Sequence, residues 1–169
     1  MTELEFFSNK NLLVPVAHHD DIEFMFGGLI ARITKEKISA NIKFAVFCDR
    51  FLNTGEEISL VHQQQKNALK ILGVDLPDIT NFGYRARFLN QYEDEIRIKL
   101  RELHKEFNCD IILTHNRHDL NQDHACLALQ THRALKGVTN ISGEILNTGA
   151  HLQKNFFIRL SEEDLTLKF

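Results

Sequence analysis

Asn11-Leu12-Leu13-Val14-Pro15-Val16-Ala17-His18-His19-Asp20-Asp21 is an apolar run that gives way at once to two imidazoles and two carboxylates. Such a run reads as a buried strand, and the polar cluster falls where that strand hands over to a loop and a helix. A second stretch repeats the arrangement about a hundred residues on: Asp110-Ile111-Ile112-Leu113-Thr114, then Asn121-Gln122-Asp123-His124. In α/β folds ligands bind beyond the carboxyl ends of the strands, which is where both clusters stand.

Outward from the first stretch, strand-like and helix-like segments alternate. Residues 11–17 read as strand one and 22–37 as a helix with Leu29, Ile30 and Ile33 on one face. Lys43 to Cys48 reads as strand two, and 58–72 as a helix ending at Gly73, where a C-cap glycine belongs. A short strand near 79–82 precedes a helix over 90–107, whose Ile96, Leu100, Leu103 and Phe107 recur at helical spacing. Strand four is 110–114, a helix covers 122–135, and strand-like pieces at 143–147 and 155–160 close the chain. This alternation predicts an α/β fold, Rossmann-like, with a mainly parallel sheet and helices on both faces. In a sheet ordered 3-2-1-4-5, strands one and four are neighbours at the topological switch point, so the two clusters should share one cleft.

The 169 residues are read as a single domain, 1–169. The net charge of −3 argues against a surface that binds nucleic acid by neutralising phosphates. The sequence holds no apolar run long enough to span a membrane. Met1-Thr2-Glu3-Leu4-Glu5-Phe6-Phe7 is acidic before it is apolar, the wrong order for a secretory signal. Cys48, Cys109 and Cys126 are odd in number and widely spaced, and read as reduced core residues of a cytoplasmic protein.

His18 and Asp21, three apart across a turn, can direct both side chains at one ion, with His124 as a third ligand from the other loop. Two imidazoles and a carboxylate form an open-position metal site of the catalytic zinc type. Zinc there lowers the pKa of a water to about 7 and polarises a carbonyl. Asp20 must point away from the ion, toward its free position, and is placed to take the proton of that water. The chemistry this implies is hydrolysis of an amide or related acyl bond.

Ala17-His18-His19-Asp20-Asp21-Ile22-Glu23-Phe24-Met25-Phe26-Gly27-Gly28 resembles the Ala-His-Pro-Asp-Asp-x-Glu-x-x-x-Gly-Gly signature of the LmbE-like (PIG-L) de-N-acetylases. Thr114-His115, then Asp119-Leu120-Asn121-Gln122-Asp123-His124, is similar to that family's second motif. Ala68 to Val74 matches its helix leading toward the third strand, and Gly143-Glu144-Ile145-Leu146 its penultimate strand. The resemblance implies a Rossmann-like, zinc-dependent enzyme that removes acetyl groups from N-acetylglucosamine-type substrates, with zinc on His18, Asp21 and His124 and Asp20 as general base. Fe2+ or another divalent ion in place of zinc stays open, as does a homo-oligomeric state. Two further readings stand beside it: an amidase for a thiol precursor or antibiotic-like glycoside, and a catalytically silent metal-binding relative.

Three positions depart from the family pattern. His19 replaces a proline and adds a further imidazole; a solvent-facing turn residue is the plainer expectation. Asn121 stands where many members carry histidine, and an amide donates a hydrogen bond but transfers no proton. The sequence also stops at Phe169, where relatives usually continue into at least one more helix, which would leave the apolar face of a strand at 155–160 for a neighbouring subunit.

Among the other candidates, Asp123 is expected to orient a neighbouring ligand and Asp119 to cap the helix that carries His124. His115 stands open between a cleft group and a hydrogen-bonded structural residue. His118 reads as a loop residue, His151 as a candidate for the pocket wall, and His62, His104 and His132 as surface or packing residues. Arg85 and Arg87, in the loop after strand three, either grip a substrate phosphate or are merely solvated.

Overall fold

The computed structural model describes residues 3–49, 55–149 and 154–168. Strand β1 (Lys10–Val16) leads into helix α1 (Asp21–Lys35), and β2 (Ala40–Cys48) into α2 (Gly55–Ile71). Strand β3 (Asp78–Tyr84) passes through a 3-10 turn (Leu89–Tyr92) into α3 (Glu93–Phe107), and β4 (Ile111–His115) into α4 (Gln122–Ala134). Strand β5 (Thr139–Gly143) and helix α5 (Glu162–Lys168) follow. The strands pair in parallel in the order β3-β2-β1-β4-β5, as the alternation of elements predicts.

The apolar strands supply both cores because successive side chains leave opposite faces of a sheet. Leu12, Val14 and Val16 of β1, Phe44 and Val46 of β2, and Ile111 and Leu113 of β4 meet α1, Leu69 of α2 and Leu72 just beyond it on one face. Leu13, Ala45, Phe47 and Ile112 meet α3 and α4 on the other. The chain moves outward from β1 to β3 with α1 and α2 on one side, then crosses to β4 with α3 and α4 on the other, and α5 returns to α1. Helix α3 carries Glu93, Asp94 and Glu95 in its first turn and His104 and Lys105 in its last, charges that suit its dipole, and Asn108 closes it at φ 50°. Gly73 ends α2 at φ +87°, and a Cβ there would lie 2.6 Å from Thr34 Oγ1.

At the switch point a proline opens the sheet. Pro15 has no N–H to donate, and the registered β1–β4 pairs end at Leu13–Ile112. Beyond that pair side chains take over. The Thr114 hydroxyl donates to Pro15 O at 2.8 Å, and Ala17 N–H donates to His115 Nε2 at 2.9 Å.

The end of the chain differs from expectation. The last strand is Thr139–Gly143, paired residue for residue with Ile111–His115, and the apolar Ile145 and Leu146 lie in the following loop, where Leu146 is 92% exposed. Residues 155–160 form no strand. Ile158 packs on the α1 core, the Phe156 ring lies 6.1 Å from that of Phe7, and α5 then docks on α1. The segment is thus held by the chain's own α1 and N-terminal residues, and there is no strand there to offer a neighbouring subunit. No helix among the described residues is long and apolar enough to cross a membrane.

Candidate metal centre

The ends of β1 and β4 bring the two clusters into one cleft of about 290 Å³. His18 and Asp21 come from the β1–α1 turn, with His18 N–H donating to Asp21 Oδ2 at 2.7 Å, and His124 comes from the first turn of α4. His18 Nδ1 lies 3.1 Å from His124 Nε2 and 3.3 Å from Asp21 Oδ2, and His124 Nε2 lies 3.3 Å from Asp21 Oδ1. Donors about 2.0–2.2 Å from a tetrahedral ion stand about 3.3–3.5 Å apart, so the two nitrogens and the Asp21 carboxylate, one oxygen toward each imidazole, already stand close to the spacing that zinc requires.

The charge around them favours a cation. Burial opposes the charged forms of both histidines, yet Asp123 and Asp21 raise the His18 pKa to about 9, and Asp119 and Asp21 do the same for His124. Burial would raise Asp21, but the imidazoles of His115, His124 and His18 hold its carboxyl well below the usual range. The centre therefore draws positive charge onto itself, as protons or as a metal ion.

Behind each candidate imidazole ligand stands a carboxylate. Asp123 Oδ2 lies 3.3 Å from His18 Nε2, and Asp123 also accepts the backbone N–H groups of Arg87 and Leu89. Asp119 Oδ2 lies 3.2 Å from His124 Nδ1. Such partners leave the inward nitrogen free to ligate, the usual support of metal-binding histidines. Asp123 thus links His18 to the loop that follows β3. Asp119 does not cap α4: Asn121 does, its Oδ1 accepting Asp123 N–H at 2.9 Å, while Asp119 Oδ1 accepts Asn121 N–H at 2.8 Å. An asparagine just before a helix is a strong N-cap signal, and it was legible in the sequence.

His115 is fully buried, its pKa lowered by that burial, and its ring stacks on His124 with centroids 4.0 Å apart. His115 Nε2 accepts Ala17 N–H and lies 3.3 Å from Asp21 Oδ2, so the buried ring braces the sheet opening and backs the Asp21 carboxylate. Asp20 is exposed at the cleft, occupies the N-cap position of α1, and makes no capping hydrogen bond. Arg87 lines the cleft at φ 70°, while the Arg85 guanidinium sits over Phe88, 4.3 Å from the ring centroid. Exposed His118 accepts from Arg117 Nε at 3.1 Å. His151 lies outside the described residues. His19 and His62 depart from expectation: His19 is buried, and both rings reach Asp49. Nothing local in the sequence signals that meeting, because it joins three separate elements.

Residues 13–135 match the model of the PIG-L family, GlcNAc-PI de-N-acetylase. The chain belongs to the PIG-L family. Deacetylases of this family are metal-dependent, and the described residues hold a His/Asp cluster able to bind such an ion. Among solved structures, the PIG-L fold is shared with N,N'-diacetylchitobiose deacetylase from Pyrococcus horikoshii, at TM-score 0.68 and 18% identity over 99% of this chain and 73% of that one. It is shared with the zinc-inhibited form of teicoplanin deacetylase Orf2, at TM-score 0.71 and 15% identity over 94% and 80% of the two chains. GalB, the 4-carboxy-2-hydroxymuconate hydratase from Pseudomonas putida KT2440, matches at TM-score 0.57 and 19% identity over 80% and 63%. No curated protein sequence matches the chain.

Proposed function

We propose that this protein is a zinc-dependent hydrolase that removes the N-acetyl group from an N-acetylglucosamine-type amino sugar or its conjugate. His18, Asp21 and His124 hold the ion, and Asp20 is the general base. The observation that carries the reading is the convergence of His18 Nδ1, Asp21 and His124 Nε2 within 3.3 Å of one another, beside an uncommitted Asp20, in a PIG-L chain.

When bound, the ion supplies Lewis acidity, polarising the acyl oxygen and acidifying a water. The rest falls to the chain. Asp20 takes the proton of the attacking water on a carboxylate oxygen and delivers it to the amine nitrogen as the carbon–nitrogen bond breaks, so that acetate and a primary amine leave. Asn121 is committed to capping α4 through Oδ1, so no imidazole at that position shares the proton transfer. The cleft of about 290 Å³ is at the small end of ligand sites, which suits one sugar ring with its acetamide. The rest of a conjugate would lie outside, past Phe24 and Arg87 at the wall. The free, buried Cys48, Cys109 and Cys126 support a reducing, cytoplasmic setting.

The test is amine release from acetylated amino sugars, with metal content measured in parallel. Asp20→Asn should keep its zinc and lose about 10²–10⁴-fold in turnover. Full activity in that variant would remove Asp20 from its role. Release of larger acids with no acetate would move the reading to a general amidase.

A further inference from the structure

A second set of donors lies outside the cleft cluster, where the β1–α1 turn, the end of β2 and α2 come together. Asp49 Oδ1 is 3.1 Å from His19 Nε2 and 3.1 Å from His62 Nε2. The donor atoms of all three residues lie within 4.8 Å of one another. The side chains of His19, Asp49 and His62 are 9%, 18% and 28% exposed, so the set is largely enclosed, with His62 the most open to solvent.

Gln65 decides how His19 carries its proton. This glutamine is 3% exposed and its Nε2 donates to His19 O at 3.4 Å, which leaves Oε1 as the atom facing His19 Nδ1 at 3.2 Å. An amide oxygen only accepts, so Nδ1 is the protonated nitrogen. A neutral His19 therefore turns the lone pair of Nε2 toward the Asp49 carboxylate. Two lone pairs facing each other at 3.1 Å repel unless positive charge lies between them. His62 Nε2 aims at the same carboxylate oxygen. Two imidazole nitrogens and a carboxylate oxygen around one point, with the buried ring's outer nitrogen tied to an acceptor, form a donor set for Zn2+, Co2+ or Ni2+.

We infer that His19, Asp49 and His62 form a second transition-metal site, separate from the cleft. It joins residues 13 and 30 positions apart, clipping the turn before α1 to β2 and α2. His19 stands between His18 and Asp20 in the chain, so an ion held here stiffens the turn that aims both. The inference does not depend on the chemistry of the cleft.

The experiment uses the full chain, stripped by chelator and reloaded with Zn2+ or Co2+, with bound metal counted by mass spectrometry after gel filtration. Wild type should hold two equivalents. His62→Ala and the more conservative His62→Gln should each hold one fewer than wild type, with circular dichroism and Tm of the ion-free protein unchanged. His124→Ala should also lose one, and the double variant both. A metal count in the His62 variants equal to wild type overturns the second site, and imidazolium hydrogen bonds to Asp49 would then explain the contacts. A count unchanged in His124→Ala would instead overturn the cleft ligand set, so the two failures are separable.

Discussion

Asp119→Asn should weaken Zn2+ binding at the proposed cleft site by about 10–100-fold, or about 1.4–2.7 kcal/mol. Asp119 Oδ1 accepts Asn121 N–H at 2.8 Å, while Oδ2 accepts the Thr148 hydroxyl at 3.2 Å and stands 3.2 Å from His124 Nδ1. An amide keeps the first contact but puts NH2 where Oδ2 stood; the Thr148 hydroxyl can turn to accept from it, whereas a protonated His124 Nδ1 then faces another donor. To escape that clash His124 shifts its proton to Nε2, the nitrogen that lies 3.1 Å from His18 Nδ1 and 3.3 Å from Asp21. The proton then occupies the ligating position. Losing one hydrogen bond to a charged group costs about 1.5–3 kcal/mol, the same range as the affinity loss expected for an outer partner. The assay is competition between stripped protein and a chromophoric chelator for Zn2+ at neutral pH, with thermal melts as the control. An unchanged Kd would refute the argument that Asp119 sets the His124 tautomer. A weaker Kd with an equal fall in ion-free Tm would trace the loss to packing instead.

Leu100→Ala, at a fully buried α3 position, should cost about 2–5 kcal/mol in urea unfolding; less than about 1 kcal/mol would mean that the α3 face repacks. Gly143→Ala would place a methyl 2.8 Å from Met25 Cβ and 2.8 Å from Phe26 Cζ. It should push α1 off β5 and lower stability by about 1–3 kcal/mol, with weaker zinc binding because Asp21 rides on α1; a wild-type Tm would show that α1 yields freely. Glu23 is held up from 4.5 to about 7 by burial, with the charges of Asp20 and Asp21 adding to it. The native state therefore keeps a proton that the unfolded chain releases between those values, and ion-free stability falls as pH rises through that window. Glu23→Gln should be more stable than wild type by up to about 3 kcal/mol at about pH 8 and equal to it at about pH 4. Parallel pH dependence in the two proteins would remove Glu23 as the cause.

The centre of the fold was readable because each strand there is buried on both faces and so appears as a near-continuous apolar run. Leu12 to Val16 and Ile111 to Leu113 could be placed side by side by the switch-point rule alone, and this also brought His18 and Asp21 to His124. The edge was harder. Strand β5 is Thr139-Asn140-Ile141-Ser142-Gly143, half-exposed and polar, and it is set by pairing with β4 rather than by its own pattern. The more strand-like Ile145 and Leu146 lie in a loop because β4 ends at His115, opposite Gly143, and leaves no ladder for β5 to extend along. Residues 155–160 follow the same logic: Phe156 and Ile158 satisfy their apolar surface against Phe7 and α1 without any ladder. The Asn121 cap was within reach of local rules, whereas the meeting of His19, Asp49 and His62 depends on how α2 lies across the sheet.

The separation of the cleft donors has a bearing on how the chain reaches its native state. His18 and Asp21 sit on one turn, but His124 is 106 residues from His18 and arrives only when β4 has docked against β1. That docking follows a reversal of direction in the sheet, with α3 carried across to the opposite face. A nascent chain that has built only β1, β2 and β3 holds two of the three proposed donors and so lacks the third, His124, that the proposed site needs. Cobalt absorption at this centre would therefore register the joining of the two halves of the sheet. It would do so at a rate that helix formation, seen by far-ultraviolet dichroism, need not share.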